Sequence, residues 1–173
     1  MVEIMDAIRA GTIEGMYILG ENPAMSDPDL THARAALGAL EHLVVQDLFV
    51  TETAQFADVI LPAAAWSEKS GTVTNTNRQV QMGRAALTPP GEAKADWWII
   101  QEIARRFGLA WNYSGPEQVF AEMKQGMHSL DHISWSRLER EGSVTYPCQA
   151  DDAPGDDVVF ADAFPRSRGK AKF

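Results

Sequence analysis

The sequence contains a single cysteine, Cys148. One cysteine excludes an internal disulfide, a zinc site built from cysteines and an iron–sulfur cluster held by this chain alone. It is expected to be a small buried hydrophobe rather than a nucleophile. No apolar stretch approaches the roughly 18 residues of a membrane-spanning helix, and the first residues lack the pattern of a secretory signal. A cytoplasmic location is therefore expected.

Basic residues are also scarce. The chain has 15 Lys and Arg against 24 Asp and Glu, a formal net charge of −9. Nucleic-acid binding depends on a basic surface, so no nucleic-acid partner is expected. The overall field repels anions, and any anionic ligand must be held by local geometry. The length of 173 residues and the 45% hydrophobic fraction fit about one globular domain.

Apolar stretches alternate with helical patterns in the first part of the chain. Three short apolar runs predict buried strands, at 16–19, 43–45 and 59–61. Helices are predicted at 2–10 and from Pro28 onward, the second capped by Asp27, with a helical turn in 51–57. Strands separated by helices indicate an α/β fold, a short parallel sheet flanked by helices as in half of a Rossmann domain.

The rest of the chain looks less regular. Residues 66–92 are polar and contain glycine and proline, which predicts a long loop of the kind that is usually functional or disordered. Three further helices are predicted, at 96–107, from 114 onward and at 134–141. From Ser143 the composition predicts an extended tail. The expected domains are an α/β region at 1–142 and an extended segment at 143–173.

Candidate ligand-binding residues follow the predicted strands, because open parallel sheets bind ligands beyond the carboxyl ends of their strands. Gly20 allows a ligand to approach the backbone closely, and Asn22 offers both a donor and an acceptor. Asp47 follows the second strand, where an acidic residue of a nucleotide-binding fold meets ribose hydroxyls or base N–H groups. The pattern predicts a nucleotide pocket.

Each candidate also has a structural interpretation. Residues 20–23 are typical of an ordinary turn, and Asp47 and Asp96 can cap a turn and a helix. Lys69 and Arg78 can be solvated surface charges. The sequence has no G-x-G-x-x-G motif and no P-loop, and no catalytic machinery is visible from the residues alone.

Five longer motifs occur in order along the chain. They are GMYILGENP at 15–23, VVQD at 44–47, TETAQFADVILP at 51–62, EKSGTVTNTNR at 68–78 and PGEAKADW at 90–97. Together they resemble the molybdopterin guanine dinucleotide oxidoreductases, the dimethyl sulfoxide reductase family. Within it they most resemble the alpha subunits of formate dehydrogenases, although nitrate reductases share most of them. The segment from Ser143 resembles the stretch that leads into the family's C-terminal β-barrel.

This resemblance implies a molybdenum or tungsten centre held by two pyranopterin guanine dinucleotides, one of them bound by a domain whose second half is present here. The positions that match dinucleotide contacts in the family are Asn22, Gln46, Asp47, Lys69 and Asp96. By residue type, the asparagine suits ribose or phosphate, the lysine suits the diphosphate, and the aspartates suit ribose hydroxyls or N–H groups. Asn75 and Arg78 lie in a family motif without a definite implied contact.

The residues that carry the family's chemistry are not in this sequence. The resemblance implies iron–sulfur cysteines, a metal-ligating cysteine or selenocysteine beside a histidine, and an arginine that orients formate, and Cys148 matches none of them. The chain is expected to be a fragment that is inactive alone and has an empty cofactor site. The intact parent is expected to oxidise formate to carbon dioxide and pass electrons to NAD or another acceptor.

The same resemblance implies partners for this chain and leaves alternative functions open. The expected partners are the remainder of the parent subunit and its electron-transfer subunits. A second copy of the fragment is a further expected partner, because a fragment exposes surfaces that the parent buries. Another family member, such as a nitrate reductase, is an alternative parent. A stand-alone nucleotide-binding or assembly module is the alternative outside enzymes.

Overall fold

The computed structural model describes residues 2–172, which form two compact units. The first unit combines the chain up to Lys69 with Ala86–Ala110, and the second combines Ser70–Ala85 with the chain from Trp111 onward. This division differs from the expected boundary at residue 142. The reason is that the segment before Ala86 pairs with a strand that begins after that boundary.

Three parallel strands form the sheet of the first unit, as the sequence predicts. They are β1 (Gly15–Leu19), β2 (His42–Asp47) and β3 (Val59–Pro62), in the order β1-β2-β3. The register pairs Ile18 with Val45 and Gln46 with Leu61. Since parallel strands run in one direction, their carboxyl ends lie at the same edge of the sheet.

Helices cover one face of this sheet. They are α1 (Val2–Arg9), α2 (Pro23–Ser26) and α3 (Leu30–Leu37), and a 3-10 turn at Ala54–Phe56 matches the predicted helical turn. The largest fully buried side chains of the shared core are Met5, Leu37, Leu43 and Val45. Because side chains alternate along a strand, Tyr17 and Leu19 lie on the opposite face, where they are 41% and 39% exposed.

Helix α3 begins later than the sequence predicts. Its N-cap is Asp29, whose carboxylate accepts a hydrogen bond from the backbone N–H of His32 at 3.0 Å. Asp27, the predicted cap, instead accepts from the backbone N–H of Asp29 at 3.0 Å. The sequence offers two aspartates as caps, and the one that reaches an N–H group of the first helical turn sets the start.

Helix α4 (Asp96–Arg106) completes the first unit. The prediction that Asp96 caps this helix is wrong, because the N-cap is Ala95 and Asp96 is already the first helical residue. The Asp96 carboxylate is bonded to the side chains of Gln46 and Lys69 instead. The Asp96 carboxylate therefore makes long-range contacts with Gln46 and Lys69 and does not cap the helix locally.

The second unit contains an antiparallel sheet where the sequence predicts a loop. Strands β4 (Gly71–Thr74) and β5 (Gln79–Gly83) form a hairpin, and β6 (Ser143–Thr145) pairs with β5. The predictions of a loop throughout 66–92 and of a tail from Ser143 are wrong at these strands. Strand β6 lies far from the hairpin in sequence, and such pairing depends on tertiary contacts that a local pattern does not show.

Helices α5 (Pro116–Gly126) and α6 (Trp135–Glu141) and the 3-10 turns at Trp66–Glu68 and His128–Leu130 are the remaining helical elements described. The core of the second unit gathers Val80, Leu138 and Val144. Cys148 belongs to this core at 7% exposure, and burial raises the pKa of its thiol. The prediction of a buried, apolar cysteine is confirmed.

Replacing Leu43 by Ala is expected to lower the free energy of unfolding of the first unit by about 2–5 kcal/mol, since truncation leaves a cavity in the core. Leu43 is 1% exposed, whereas Leu48 is 46% exposed. The matched control Leu48→Ala is expected to change stability by less than about 0.5 kcal/mol. Urea denaturation followed by tryptophan fluorescence measures both, and equal losses would contradict this assignment of the core.

Candidate functional site

The candidate site lies at the carboxyl edge of β1 and β2. Gly20 follows β1 with a φ of +63°, a backbone conformation that favours glycine, and nothing lies within 4 Å of the position that a Cβ would take. The Gly20 backbone N–H donates to the Gln46 carbonyl at 2.9 Å. This bond joins the ends of the two strands, so Asn22 and Asp47 project from a common edge.

A network of polar side chains crosses this edge on the face opposite α1 and α3. We call Tyr17, Gln46, Lys69 and Asp96 the Gln46 cluster. The Tyr17 hydroxyl donates to Gln46 Oε1, and Gln46 Nε2 donates to Asp96 Oδ1 at 2.7 Å. Lys69 Nζ donates to Asp96 Oδ2. The four residues come from β1, β2, the segment after β3 and the start of α4.

The Gln46 amide is the buried centre of the cluster. Gln46 is 0% exposed, whereas the side chain of Lys69 is 31% exposed and that of Asp96 is 26% exposed. If the amide were reversed, its oxygen would face the Asp96 carboxylate, so the nitrogen end must point there. Gln46 therefore holds the Asp96–Lys69 pair from its buried side. The solvent-exposed part of the pair is accessible to a ligand.

Tyr17 remains a hydrogen-bond donor at neutral pH. Burial is the main cause that raises the pKa of its phenol above the ordinary value of 10.0, and the negative charge of Asp96 raises it further. The sequence interpretation did not single out Tyr17. Its position on the same face as Gln46, which follows from strand alternation and register, is the signal that finds it.

Asp47 has a different environment from its neighbour Gln46, since consecutive strand residues point to opposite faces. Its Oδ1 accepts a hydrogen bond from the backbone N–H of Leu48 at 2.6 Å. This oxygen thus has a local backbone partner in the bend that follows β2. The other carboxylate oxygen, Oδ2, can still accept a hydrogen bond from a ligand.

Asn22 fastens the loop after β1 to the loop after β2. Its Oδ1 accepts from the Thr53 backbone N–H at 3.1 Å and from Thr53 Oγ1 at 2.8 Å, and its Nδ2 donates to Glu52 at 2.7 Å. The Asn22 hydrogen bond is the main cause that lowers the pKa of Glu52. Thr53 and Glu52 were missed as functional neighbours, although both lie in the motif at 51–62.

Asn75 and Arg78 lie in the second unit, at the turn between β4 and β5. The Arg78 guanidinium donates to the backbone carbonyls of Tyr146, Asp156 and Asp157 at 2.6, 2.9 and 2.8 Å. Arg78 is therefore neither a solvated charge nor oriented as a ligand contact. It clamps the C-terminal segment to the hairpin.

The structure thus brings Gln46, Lys69 and Asp96 into one cluster, while Asn22 and Asp47 lie at the same sheet edge with partners of their own. Among residues 2–172, no group of three or more His, Cys, Asp or Glu side chains is arranged to hold a metal ion. No helix in that range is long and apolar enough to cross a membrane.

An α/β sheet with polar residues at its carboxyl edge defines a class of ligand-binding modules. Comparison with known proteins narrows the class, since residues 1–106 match the molybdopterin oxidoreductase family. The chain is 44% identical over 162 residues to the F420-dependent formate dehydrogenase subunit alpha of Methanocaldococcus jannaschii, covering 92% of this chain and 24% of that protein. The chain belongs to the molybdopterin oxidoreductase family, which implies a molybdopterin cofactor with molybdenum or tungsten.

Two further relatives show how broad this family is. The assimilatory nitrate reductase catalytic subunit of Bacillus subtilis is 38% identical over 175 residues, covering 98% of this chain and 25% of that protein. The solved structure of acetylene hydratase from Pelobacter acetylenicus aligns with a TM-score of 0.69 at 22% identity, covering 84% of this chain and 20% of the other, which supports the fold. The chain spans about a quarter or less of the length of these proteins.

Alkaline titration tests the environment of Tyr17. Its phenol is expected to ionise above 10.0, and Asp96→Asn is expected to lower that pKa by removing a negative charge. Because the folded state holds this proton more tightly, the stability from Tyr17 is complete below about pH 10 and is lost as pH rises. The tyrosinate absorbance of the wild type minus that of Tyr17→Phe reports the ionisation, and a Tyr17 pKa at or below 10.0 would contradict the geometry.

Proposed function

We propose that this chain is the part of a molybdenum or tungsten formate dehydrogenase that binds one molybdopterin guanine dinucleotide. The observation that supports this proposal most directly is the Gln46 cluster. In it a buried amide holds a carboxylate and an ammonium group at the carboxyl edge of an α/β sheet, where such sheets bind ligands. Family membership supports the molybdopterin part of the cofactor. The formate dehydrogenases among the relatives support formate as the substrate of the parent.

The side chains at this edge fit the chemical groups of a guanine dinucleotide. Lys69 supplies a cation for the diphosphate, and each Asp96 oxygen, which accepts one hydrogen bond within the cluster, keeps a lone pair for an N–H of guanine or pterin. Asp47 Oδ2 suits ribose hydroxyls or guanine N–H groups. The second hydrogen of the Asn22 amide suits a ribose or phosphate oxygen.

The proposed work of this chain is to bind and orient the cofactor. Bound there, the cofactor supplies the metal centre at which formate loses a proton and two electrons to become carbon dioxide. Gln46 orients Asp96, Lys69 neutralises phosphate charge, and the Asn22–Thr53 contact keeps the strand-end loops together. The metal ligand and the substrate-orienting groups belong to other parts of the parent, so the isolated chain is proposed to be inactive and to retain no cofactor.

The remainder of the parent subunit and its electron-transfer subunits are the proposed partners, in a cytoplasmic enzyme that passes electrons to NAD or another acceptor. The relatives are about four times longer than this chain. At the candidate edge, Phe49 and Val50 are 75% and 72% exposed, which supports coverage by other segments of the parent. We propose that the same apolar surface favours self-association of the isolated chain.

A nitrate reductase is the second candidate for the parent. The observation in its favour is the 38% identity to an assimilatory nitrate reductase subunit across 98% of the chain. The cofactor-binding role proposed for the Gln46 cluster is the same in both cases. The two candidates differ in the substrate of the intact protein.

The decisive experiment uses the intact polypeptide that carries this chain, purified without added cofactor. Molybdenum and tungsten are measured by mass spectrometry, and the guanosine monophosphate released by acid hydrolysis is measured by chromatography. The proposal predicts a metal, guanosine monophosphate and formate-dependent dye reduction. Nitrate reduction without formate oxidation would select the second candidate, and a protein without guanine nucleotide would contradict both.

Replacing Asp47 by Ala in the intact polypeptide is expected to lower cofactor retention. A donor of the ligand would lose a charged acceptor worth roughly 1.5–3 kcal/mol, which corresponds to about a tenfold or greater loss of affinity. Asp152→Ala is the matched control, because that carboxylate is 93% exposed and lies in the second unit. Unchanged metal and guanine nucleotide contents in Asp47→Ala would contradict the assigned role.

A further inference from the structure

Tyr17 is the member of the Gln46 cluster that has no role in the proposed binding of the nucleotide. It lies in β1, and its hydroxyl donates to Gln46 Oε1. The donors then follow one direction, from the Tyr17 hydroxyl to the Gln46 amide and from that amide to Asp96 Oδ1 at 2.7 Å. Lys69 reaches the other Asp96 oxygen. Tyr17 is thus connected to the accessible ion pair through a single buried side chain.

Packing alone does not explain the hydroxyl of Tyr17. The residue is 41% exposed on the face of the sheet opposite the apolar core, beside Leu19 at 39%. An apolar side chain would serve this face of the strand equally well. The phenol has a specific partner, the acceptor end of an amide that is 0% exposed and has no access to water.

We propose that Tyr17 is a positioning residue that acts through Gln46 to hold the Asp96–Lys69 pair in the geometry that receives the anionic part of the nucleotide. This inference rests on the proposed function. With the hydroxyl present, the amide has a partner at each end and presents its N–H to Asp96. Without it, the buried Oε1 loses its donor, the amide gains freedom to turn, and Lys69 is held less firmly.

Two matched variants test this role. Tyr17→Phe removes the hydroxyl and keeps the ring. Tyr113→Phe removes the same group from a tyrosine of the second unit, whose hydroxyl donates to the Glu122 carboxylate at 2.6 Å. Thermal unfolding of both variants shows whether the chain remains folded. If Tyr17→Phe folds poorly, Tyr17→Met repeats the test with a flexible apolar side chain.

The first readout is the acetylation rate of Lys69 relative to Lys94 in the 173-residue chain, measured by peptide mass spectrometry. Loss of one hydrogen bond to the amide is expected to raise this ratio roughly three- to tenfold in Tyr17→Phe. Tyr113→Phe is expected to leave it unchanged. Lys94 is already exposed in the folded chain, so unfolding alone would also raise the ratio, and the comparison is made at a temperature at which thermal unfolding shows both variants to be folded.

The second readout is the guanosine monophosphate retained by the intact polypeptide, which is expected to fall severalfold in Tyr17→Phe and to stay constant in Tyr113→Phe. An unchanged Lys69 to Lys94 ratio in folded Tyr17→Phe would overturn the inference, and so would full nucleotide retention in that variant. If the wild-type polypeptide holds no guanine nucleotide, the proposed function fails, and the acetylation ratio still decides whether Tyr17 positions Lys69.

Discussion

The buried amide of Gln46 is the constraint on which the candidate site depends. An unpaired polar group inside a protein costs about 1–3 kcal/mol, and a primary amide has both a donor end and an acceptor end to satisfy. Tyr17 meets the acceptor end and Asp96 meets the donor end. Asp96 is charged and partly buried, so it needs a counter-ion, which Lys69 provides. One buried group thereby fixes the position of two accessible charged groups.

A second set of contacts keeps the strand-end loops in place. Asn22 binds Thr53 and Glu52, so the loop after β1 cannot separate from the loop after β2 without breaking several hydrogen bonds. This local order matters in a chain with a net charge of −9. Because the overall field repels a diphosphate, recognition depends on a few groups at fixed positions and not on general attraction.

The sequence predicts the parts of this arrangement that arise from local patterns. Three apolar runs predicted the parallel strands, and the strand ends pointed to Asn22 and Asp47. Local patterns failed where distant residues decide the outcome. Asp96 was expected to cap α4 but bonds to Gln46, fifty residues earlier in the chain. Strand β6 and the guanidinium contacts of Arg78 likewise depend on segments more than sixty residues apart. Tyr17 could be identified once the register was known.

The central claim is that the carboxyl edge of β1 and β2 binds the guanine nucleotide part of a molybdopterin cofactor. The most direct measurement is a structure of the intact polypeptide purified with its native cofactor. The account predicts diphosphate oxygens within about 3.2 Å of Lys69 Nζ, and guanine, pterin or ribose donors on the carboxylates of Asp47 and Asp96. A nucleotide bound elsewhere, with this edge covered by protein, would contradict it.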